Sequence, residues 1–275
     1  MDRRSPDNRS LPPPGQAALT GDMNISGNTI FIPGSTSGIG LALALELRAR
    51  GNTVIAGGRR AAELERIARL GLDTVEIDLT EPASIAAAAK EVLARHPDLN
   101  VLIPMAGIMR VEDWRQPATF LASAEDVVTT NLLGPIRLIA AFVEHLRAQP
   151  AAAIITVSSG LAFTPLAATP SYNASKAAIH MLSESIRLQL AGTSVQVIEL
   201  EPPSVRTGLL PGQEDSEVAM PLDSFISEAV GLLATQPDAK EIQVERVKFL
   251  RYGEARGDYD QVVAALNASD PHGTS

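Results

Sequence analysis

The fold follows from residues 29–47, which read TIFIPGSTSGIGLALALEL. The apolar residues 29–32 favour a strand, and the leucines and alanines that end the stretch favour a helix. Between the two segments stand Gly34, Gly38 and Gly40. In a strand–turn–helix unit, glycines at such positions permit a tight turn, close approach of the backbone to a pyrophosphate, and close packing of the helix on the strand. The stretch therefore predicts a dinucleotide-binding turn, with a plain glycine turn as the alternative.

Beyond this stretch, short β-rich segments alternate with Ala/Leu-rich helical segments. The β-rich segments are continuous apolar runs, which is typical of strands buried on both faces of a parallel sheet. We therefore predict an α/β fold, a single-domain Rossmann-like doubly wound parallel sheet with helices on both faces. The predicted strands lie near residues 29–33, 52–57, 72–77, 99–104, 152–158 and 194–200.

The length of 275 residues suits one α/β domain with a sizeable core. Residues 1–27 are rich in Pro, Arg, Asp, Asn and Gly, and their lack of hydrophobic periodicity predicts a disordered leader. We expect the catalytic domain over residues 28–267, with a mobile lid near residues 207–221 between Pro and Gly hinges. Residues 268–275 are expected to form a flexible tail.

The composition argues against several classes of partner. The chain has 23 Lys and Arg against 32 Asp and Glu, a net charge of −9, and no basic stripe, so nucleic-acid binding is not expected. It has no cysteine, which fits a reducing compartment, and we expect a cytoplasmic location. No signal-peptide core is present at the N-terminus and no uncharged apolar run approaches a membrane span, so no membrane partner is expected. The histidines have no metal-ligand spacing, so no metal site is expected; they are His96, His145, His180 and His272.

Tyr172 and Lys176 carry the strongest chemical signal in the chain. On one helix, their i, i+4 spacing places both side chains on the same face, where the ammonium can favour the phenolate. A free tyrosine titrates near pH ~10, so a fixed positive charge nearby makes it a usable acid or base at neutral pH. Ser159 stands thirteen positions before the tyrosine, a separation that favours it over Ser158. Tyr-x-x-x-Lys alone is also common on ordinary helix surfaces.

The end of the second predicted strand indicates the cofactor. NAD-binding sites usually place Asp or Glu there to hold the ribose 2′-hydroxyl, whereas a 2′-phosphate needs positive charge. Here Arg59 and Arg60 stand without an acid, and a guanidinium binds phosphate in a bidentate manner. NADP(H) is therefore favoured over NAD(H), and the alternative is that one or both arginines are solvated residues that open the next helix.

In their order along the chain, these elements resemble the classical short-chain dehydrogenase/reductase superfamily. The resemblance runs from about residue 28 to residue 207. Residues 161–163, 202–203 and 244–250 look like the bacterial DltE-like short-chain oxidoreductases. The motifs that carry the resemblance are the glycine loop, Asp78-Leu79, Ala106-Gly107, Asn131, Ser159, Tyr172, Lys176 and Pro202 … Thr207.

The resemblance implies an enzyme that moves a hydride between a nicotinamide and a carbonyl or secondary alcohol. It implies that Tyr172 is the acid or base, that Ser159 positions the substrate oxygen, and that Lys176 bonds the nicotinamide ribose and lowers the tyrosine pKa. It implies that Asn131 supports the active-site helix and a proton-relay water, and that Asp78 binds the adenine. The implied cofactor-binding residues are Gly34, Ser37, Gly38, Ile39, Gly40, Arg59, Asp78, Leu79, Ala106, Gly107, Tyr172, Lys176, Val205 and Thr207.

Two of these residues have structural alternatives. Asp78 can instead begin a helix, for which Thr80 is the better capping candidate. Asn131 can be a helix amide that is satisfied within the fold.

Four positions depart from the superfamily pattern. Pro33 replaces a usual Thr or Ser, Pro104 and Met105 replace two usual Asn residues, and Pro203 replaces a usual Gly. The first three remove side chains that tie the glycine loop to the fourth strand, so weaker cofactor binding is expected. A catalytically weak dinucleotide-binding regulator or scaffold is therefore the alternative function.

The substrate wall is expected from residues 109–114, 161–165 and 208–220. Its apolar members suggest a neutral carbonyl or secondary alcohol as substrate; they are Leu161, Phe163, Leu209 and Leu210. The resemblance also implies a homodimer or homotetramer that pairs the helices carrying Asn131 and Tyr172. The apolar residues on those two helices are Leu132, Ile136, Ile139, Phe142, Ile179, Leu182 and Ile186.

Overall fold

The computed structural model describes residues 25–268 and contains a seven-stranded sheet. Its strands are β1 (Thr29–Pro33), β2 (Thr53–Gly58), β3 (Asp73–Glu76), β4 (Val101–Leu102), β5 (Ala152–Val157), β6 (Val195–Glu201) and β7 (Glu241–Gln243). They are ordered β3-β2-β1-β4-β5-β6-β7, and every neighbouring pair is parallel. The strand order reverses between β1 and β4, which in an open parallel sheet creates a crevice at the carboxyl ends of the strands.

This sheet confirms the predicted fold class, with two differences in detail. A seventh strand, Glu241–Gln243, was not predicted, because its three residues alternate polar and apolar instead of forming an apolar run. The predicted strand near residues 99–104 is reduced to two residues, Val101 and Leu102, since the chain leaves the ladder at Pro104. The predicted leader and tail fall mainly on residues 1–24 and 269–275, which lie outside the described part of the chain.

Helices cover both faces of the sheet. They are α1 (Gly38–Ala49), α2 (Ala61–Ala68), α3 (Pro82–Arg95), α4 (Pro117–Val128), α5 (Gly134–Ala148), α6 (Pro170–Gln189), α7 (Leu222–Thr235), α8 (Lys248–Arg251), α9 (Gly253–Arg256) and α10 (Tyr259–Ala268). One buried cluster joins α1, α2 and α7 to one face of the sheet, and a second joins α3 and α5 to the other face, where α6 also packs. Because helices cover both faces of the sheet, a ligand site is expected at the carboxyl ends of the strands.

Helices α4 and α5 are joined through a π-helical turn, Thr129–Leu133, into one helical region. Contrary to the expectation from sequence, this region, Pro117–Ala148, is long and apolar enough to cross a membrane by length and composition alone. Its residues Leu138, Phe142 and Leu146 are fully buried against the sheet. A core helix with one packed face passes the same test, so the length and hydropathy of this region are not evidence for a membrane.

Candidate active site

The glycine loop connects β1 to α1 at the carboxyl edge of the sheet. Gly34 has φ +92°, and a Cβ there would collide with the backbone of Ala106. A Cβ at Gly40 would collide with the carbonyl oxygen of Gly34 and approach the Met105 side chain. At Gly38, with φ +56°, the nearest atoms to a Cβ belong to Thr207 and lie 3.6 Å away. Gly34 and Gly40 are thus required by the fold itself, whereas a Cβ at Gly38 would make only ordinary van der Waals contact, at the edge of an open cleft.

Gly38 lies at the N-terminus of α1, so this end of the helix faces the cleft. Ser37 is the N-cap residue, but its side chain makes no capping hydrogen bond, and the first turn contains no acidic residue. Unpaired N–H groups and the positive end of the helix dipole favour an anion at this place. The residues present therefore fit the pyrophosphate of a dinucleotide.

A cleft of about 1190 Å³ runs from the glycine loop to Tyr172. All the predicted cofactor-binding residues line it, together with Ser159 of the predicted catalytic residues. The lining residues among those predictions are Gly34, Ser37, Gly38, Ile39, Gly40, Arg59, Asp78, Leu79, Ala106, Gly107, Ser159, Tyr172, Lys176, Val205 and Thr207. Asn131 does not line the cleft.

Tyr172 is buried on α6, and the side chain of Ser159 is the polar group that acts on its hydroxyl. Burial raises the pKa of Tyr172 to about 12, and the Ser159 side chain opposes that rise. Loss of solvation of the phenolate has the larger effect, so the pKa lies above its usual value, and the expected lowering by Lys176 stays a prediction. The hydroxyl is protonated at neutral pH and is able to donate a proton.

Ser159 and Ser158 both line the cleft but have different surroundings. Ser159 begins the short 3₁₀ turn Gly160–Ala162, where its Oγ accepts a hydrogen bond of 3.2 Å from the Leu161 N–H. The Oγ of Ser158 has no hydrogen-bond partner among the described residues. Since Ser159 is the serine whose side chain acts on the Tyr172 hydroxyl, the structure supports Ser159 as the partner of the tyrosine.

Lys176 lies one helical turn after Tyr172, with Nζ 5.5 Å from the centroid of the tyrosine ring. Its ammonium donates a hydrogen bond of 2.9 Å to the carbonyl oxygen of Val157. Burial lowers the pKa of Lys176 to about 8, and the negative charge of Glu199 opposes that fall. The lysine is therefore mainly charged at neutral pH and provides a positive charge beside the tyrosine.

The start of α6 is held by a buried carboxylate. The Ser171 N–H donates to Oε2 of Glu112 at 3.1 Å, and the same carboxylate accepts from Trp114 Nε1 at 3.0 Å and from Ser123 Oγ at 2.9 Å. Burial acts to raise the pKa of Glu112, but these hydrogen bonds together leave it lower than usual. A charged carboxylate at this helix N-terminus fixes the turn that carries Tyr172.

The chain that forms this glycine loop, cleft and Ser159-Tyr172-Lys176 group is similar to known proteins. The family model described as "short chain dehydrogenase" matches residues 28–217. The chain belongs to the short-chain dehydrogenase family. It is accordingly an oxidoreductase in an α/β fold that this family shares.

Individual relatives of this family agree over nearly the whole chain. The uncharacterized oxidoreductase DltE of Bacillus subtilis (strain 168) is 38% identical over 90% of this chain and 100% of its own. A short chain dehydrogenase from Burkholderia cenocepacia J2315 in complex with NADP has a TM-score of 0.74, is 27% identical, and matches 89% of this chain and 99% of its own. A short chain dehydrogenase/reductase from Burkholderia phymatum in complex with NAD has a TM-score of 0.73 at 18% identity, over 90% of this chain and 99% of its own. The family thus includes proteins solved with either nucleotide.

Asn131 lies in the π-helical turn between α4 and α5 and is buried behind the cleft. Its Oδ1 accepts from the Ile108 N–H at 2.8 Å, and its Nδ2 donates to the Ile108 carbonyl at 2.9 Å and to Ser175 Oγ at 3.2 Å. Its side chain therefore links the loop after β4 to α6. These hydrogen bonds agree with the expectation that Asn131 supports the active-site helix. They also pair both polar atoms of the Asn131 amide within the fold.

Arg59 and Asp78 face each other at the far end of the cleft, with Nη1 3.8 Å from Oδ2. Asp78 Oδ1 accepts hydrogen bonds from the N–H and the hydroxyl of Thr80, at 2.9 and 2.8 Å. The interpretation of Thr80 as a helix cap is wrong, since Glu81 is the N-cap residue of α3. Arg60 is the N-cap residue of α2, which leaves Arg59 as the more suitable phosphate ligand of the pair.

The departures from the family pattern at Pro33, Pro104 and Met105 do not disconnect the glycine loop from β4. The carbonyl oxygen of Pro33 accepts hydrogen bonds from the N–H groups of Met105 and Ala106, at 3.1 and 3.0 Å. Backbone groups therefore connect the two segments, for which the family pattern uses side chains. The expected weaker binding of the cofactor stays a prediction.

The predicted substrate wall is only partly found at the cleft. Leu209 lines it, but Leu210 is buried and Phe163 packs against His180 and the Arg251 guanidinium, which lies 4.1 Å from the ring centroid. Leu161 does not line the cleft either. An apolar side chain that is near a site in sequence can either line the site or face the core of the protein. Its position in the sequence does not show which of the two it does.

The predicted lid is connected to the domain by several hydrogen bonds. Gln213 Nε2 donates to the Val205 carbonyl at 2.6 Å, Arg206 Nε donates to the Ser216 carbonyl at 2.9 Å, and Val205 forms a β-bridge with Met220. Gly208, Leu209 and Gln213 line the cleft. The segment is therefore positioned to contact a substrate, and its mobility stays a prediction.

The sequence interpretation missed several residues of the cleft. They come from the loop after β4 and from the preceding turns of the helical region that contains Asn131, and no motif marks them. These residues are Ile108, Glu125, Asp126, Thr129 and Thr130.

Proposed function

We propose that the protein is an NADP(H)-dependent oxidoreductase that interconverts a carbonyl compound and a secondary alcohol. The observation that carries the proposal is the arrangement of buried Tyr172, Ser159 and the Lys176 ammonium in the same cleft as the glycine loop. A proton donor, a hydroxyl that can bind the substrate oxygen and a dinucleotide cradle are the groups that this reaction needs.

The glycine loop and the N-terminus of α1 would hold the pyrophosphate, and Lys176 would hold the nicotinamide ribose. Asp78 would contact the adenine, with Leu79, Ala106, Gly107, Val205 and Thr207 as further contacts. A bound nicotinamide nucleotide would supply or accept a hydride. Each other task in the reaction falls to side chains of this chain.

Ser159 orients the substrate oxygen towards Tyr172 and polarises the carbonyl. Tyr172 donates its proton to that oxygen when a carbonyl is reduced, and it accepts the proton when an alcohol is oxidised. Lys176 stabilises the phenolate that remains after proton donation, because its ammonium lies beside the ring. The tyrosine is protonated at neutral pH, which supports the proton-donating role.

The proposal is tested with a panel of aldehydes and ketones and NADPH, following the loss of NADPH absorbance. Neutral carbonyl compounds are the expected substrates, because Leu209 and Ile108 line the cleft beside polar groups. Turnover of at least one carbonyl, with the alcohol identified as product, supports the proposal. Absence of turnover across the panel, with NADPH bound, contradicts it.

NADP(H) preference is expected to depend on Arg59. Arg59 is exposed, lines the cleft, and carries the charge that a 2′-phosphate requires, so Arg59→Asp should raise the NADPH dissociation constant by about tenfold or more. NADH binding should be maintained or improved, because a carboxylate can accept a hydrogen bond from a 2′-hydroxyl. Fluorescence titrations with both nucleotides measure the change.

Arg69→Asp is the matched control for this change of charge. Arg69 lies on the surface beyond α2, is 77% exposed, and pairs only loosely with Glu65 at 3.9 Å. Its substitution should leave both dissociation constants unchanged. Tighter binding of NADH than of NADPH by the unaltered protein would contradict the charge argument.

We further propose a homodimer or homotetramer, formed through α5 and α6, in a cytoplasmic protein. Of the apolar residues predicted for these helices, Phe142 and Ile179 are buried within the subunit, while Ile136 is 40% exposed. Met181 and Leu188 on α6 are 63% and 78% exposed. Exposed apolar side chains on adjacent helices favour association.

Light scattering at micromolar concentration should give the mass of a dimer or a tetramer. Met181→Glu should shift the protein towards the monomer, because a charge would be buried in the interface. Phe249→Glu, at a 50% exposed position on α8, should not change the mass. A monomeric mass for the unaltered protein would refute the assembly.

A further inference from the structure

A group of buried charged residues lies beyond Lys176 along α6. His180 follows Lys176 by four residues, so Tyr172, Lys176 and His180 share one face of the helix. The Nδ1 atom of His180 lies 2.9 and 3.1 Å from the two carboxylate oxygens of Glu199 on β6. Glu199 is completely buried. The helix face that carries Tyr172 and Lys176 is thus linked, through His180, to a carboxylate that has no contact with solvent.

The position of Glu199 in the sheet directs it towards α6. Its partner in the register of the parallel pair is Thr156, and the hydroxyl of Thr156 is hydrogen-bonded to Ser183 of α6 at 2.6 Å. Neighbouring residues of adjacent strands in register have side chains on the same face of the sheet. Glu199 therefore lies under the helix that carries Lys176, a placement that agrees with its contact to His180.

Lys176 needs a negative charge nearby if it is to remain protonated. The hydrogen-bond acceptor of its ammonium is the neutral carbonyl of Val157, and the side chain is 6% exposed. Burial of an ammonium with neutral partners favours loss of its proton. Glu199 is the charge that opposes this loss, while burial has the larger effect.

We propose that Glu199, oriented by His180, is a positioning residue that keeps the Lys176 ammonium charged in the cleft, a role that rests on the oxidoreductase function proposed above. A charged Lys176 is what stabilises the Tyr172 phenolate after proton donation and what binds the nicotinamide ribose. Glu199 touches neither substrate nor cofactor, since it does not line the cleft. Its effect passes entirely through the lysine.

The other charged groups around Glu199 interact with one another. Arg251 of α8 lies 3.2 Å from Glu241 of β7 and 3.7 Å from Glu201 of β6. Burial, together with the charges of Glu199 and Glu241, raises the pKa of Glu201 to about 8. Glu201 is therefore largely protonated at neutral pH, and Glu241 is paired with Arg251. Glu199 remains as the buried carboxylate available to Lys176.

This set of acids also bears on the expectation of no metal site. Ligand atoms of His180, Glu199, Glu201 and Glu241 lie within 4.8 Å of one another, a grouping that the irregular histidine spacing did not reveal. The Arg251 guanidinium already places a positive charge in this group. These contacts form an ion-pair cluster next to the active site, and the expected absence of a metal stays a prediction.

The direct test is the titration of Lys176 in the complete protein without cofactor or substrate. The chain contains four lysines, Lys90, Lys176, Lys240 and Lys248, so NMR of protein labelled at the lysine side chains gives few signals. The Lys176 signal is assigned by its loss in Lys176→Met. Glu199→Gln should lower the pKa of Lys176 by about one unit or more, because the negative charge that opposes loss of the lysine proton is removed.

Glu201→Gln is the matched control. It removes a carboxyl group from the same strand, with the same complete burial, that is not among the groups acting on Lys176. Its effect on the Lys176 titration should be small. An unchanged Lys176 pKa in folded Glu199→Gln, or equal shifts in both variants, would overturn the proposal. If Glu199→Gln does not fold, Glu199→Asp withdraws the charge by one methylene and should lower the pKa to a smaller extent.

A second readout connects the pair to the function. The charged form of Lys176 exists below its pKa, so NADPH affinity should weaken as pH rises through that pKa, and in Glu199→Gln the weakening should begin at lower pH. A shifted lysine titration with no carbonyl reduction by the unaltered protein would disprove the proposed reaction and leave the electrostatic link intact. Carbonyl reduction with an unshifted titration would disprove the role of Glu199 alone.

Discussion

Replacement of Tyr172 by Phe should lower the rate of NADPH-dependent carbonyl reduction by about 10²–10⁴-fold. The hydroxyl is the proton donor of the proposed reaction, and the buried Tyr172 pKa of about 12 means that it carries its proton at neutral pH. The ring, which packs beside Lys176, is retained in the variant. NADPH affinity should therefore change little, and the loss should appear in kcat. Steady-state rates and fluorescence titrations separate the two quantities.

Tyr259→Phe provides the matched control, because it removes a hydroxyl from a tyrosine at the start of α10, outside the cleft. Its turnover should equal that of the unaltered protein. Melting curves of both variants exclude general unfolding as the cause of a loss. If Tyr172→Phe retained most of its turnover, another group would have to supply the proton, and the proposed mechanism would be wrong.

Gly38→Asp should weaken NADPH binding by about 100-fold or more, equivalent to about 3 kcal/mol. Gly38 lies at the edge of the open cleft at the N-terminus of α1, where we propose the pyrophosphate to lie. A carboxylate there would occupy that space and repel a second anion. Asp is among the residues that best tolerate positive φ, so the fold should persist. Isothermal titration calorimetry with NADPH measures the loss.

Gly27→Asp controls for the cost of a side chain at positive φ. Gly27 has φ +77° with no atom within 4 Å of a Cβ, and it precedes β1, at the opposite edge of the sheet from the glycine loop. Both variants should lose a similar amount of stability, about 1 kcal/mol, in denaturant unfolding. Only Gly38→Asp should lose affinity for NADPH. Equal affinities in the two variants would show that the nucleotide phosphate does not lie at Gly38.

The sequence by itself determined the fold class and the order of the main motifs. The continuous apolar runs that predict buried parallel strands, and the glycines of residues 34–40, depend on local chemistry that a short stretch of sequence contains. The spacing of Tyr172 and Lys176 likewise needs only a helix to place them on one face. Local periodicity and backbone requirements are the part of a structure that neighbouring residues specify.

Only the tertiary structure decided the electrostatics of the site and the path of its walls. The Tyr172 pKa depends on burial by segments far away in sequence, which raises it above its usual value. Phe163 was expected at the substrate but packs against His180, because the C-terminal helices bring Arg251 to its other side. Glu199 carries no motif and acts through its position on β6 beneath α6. Desolvation and charge interactions depend on distances in space, which residue spacing along the chain does not contain.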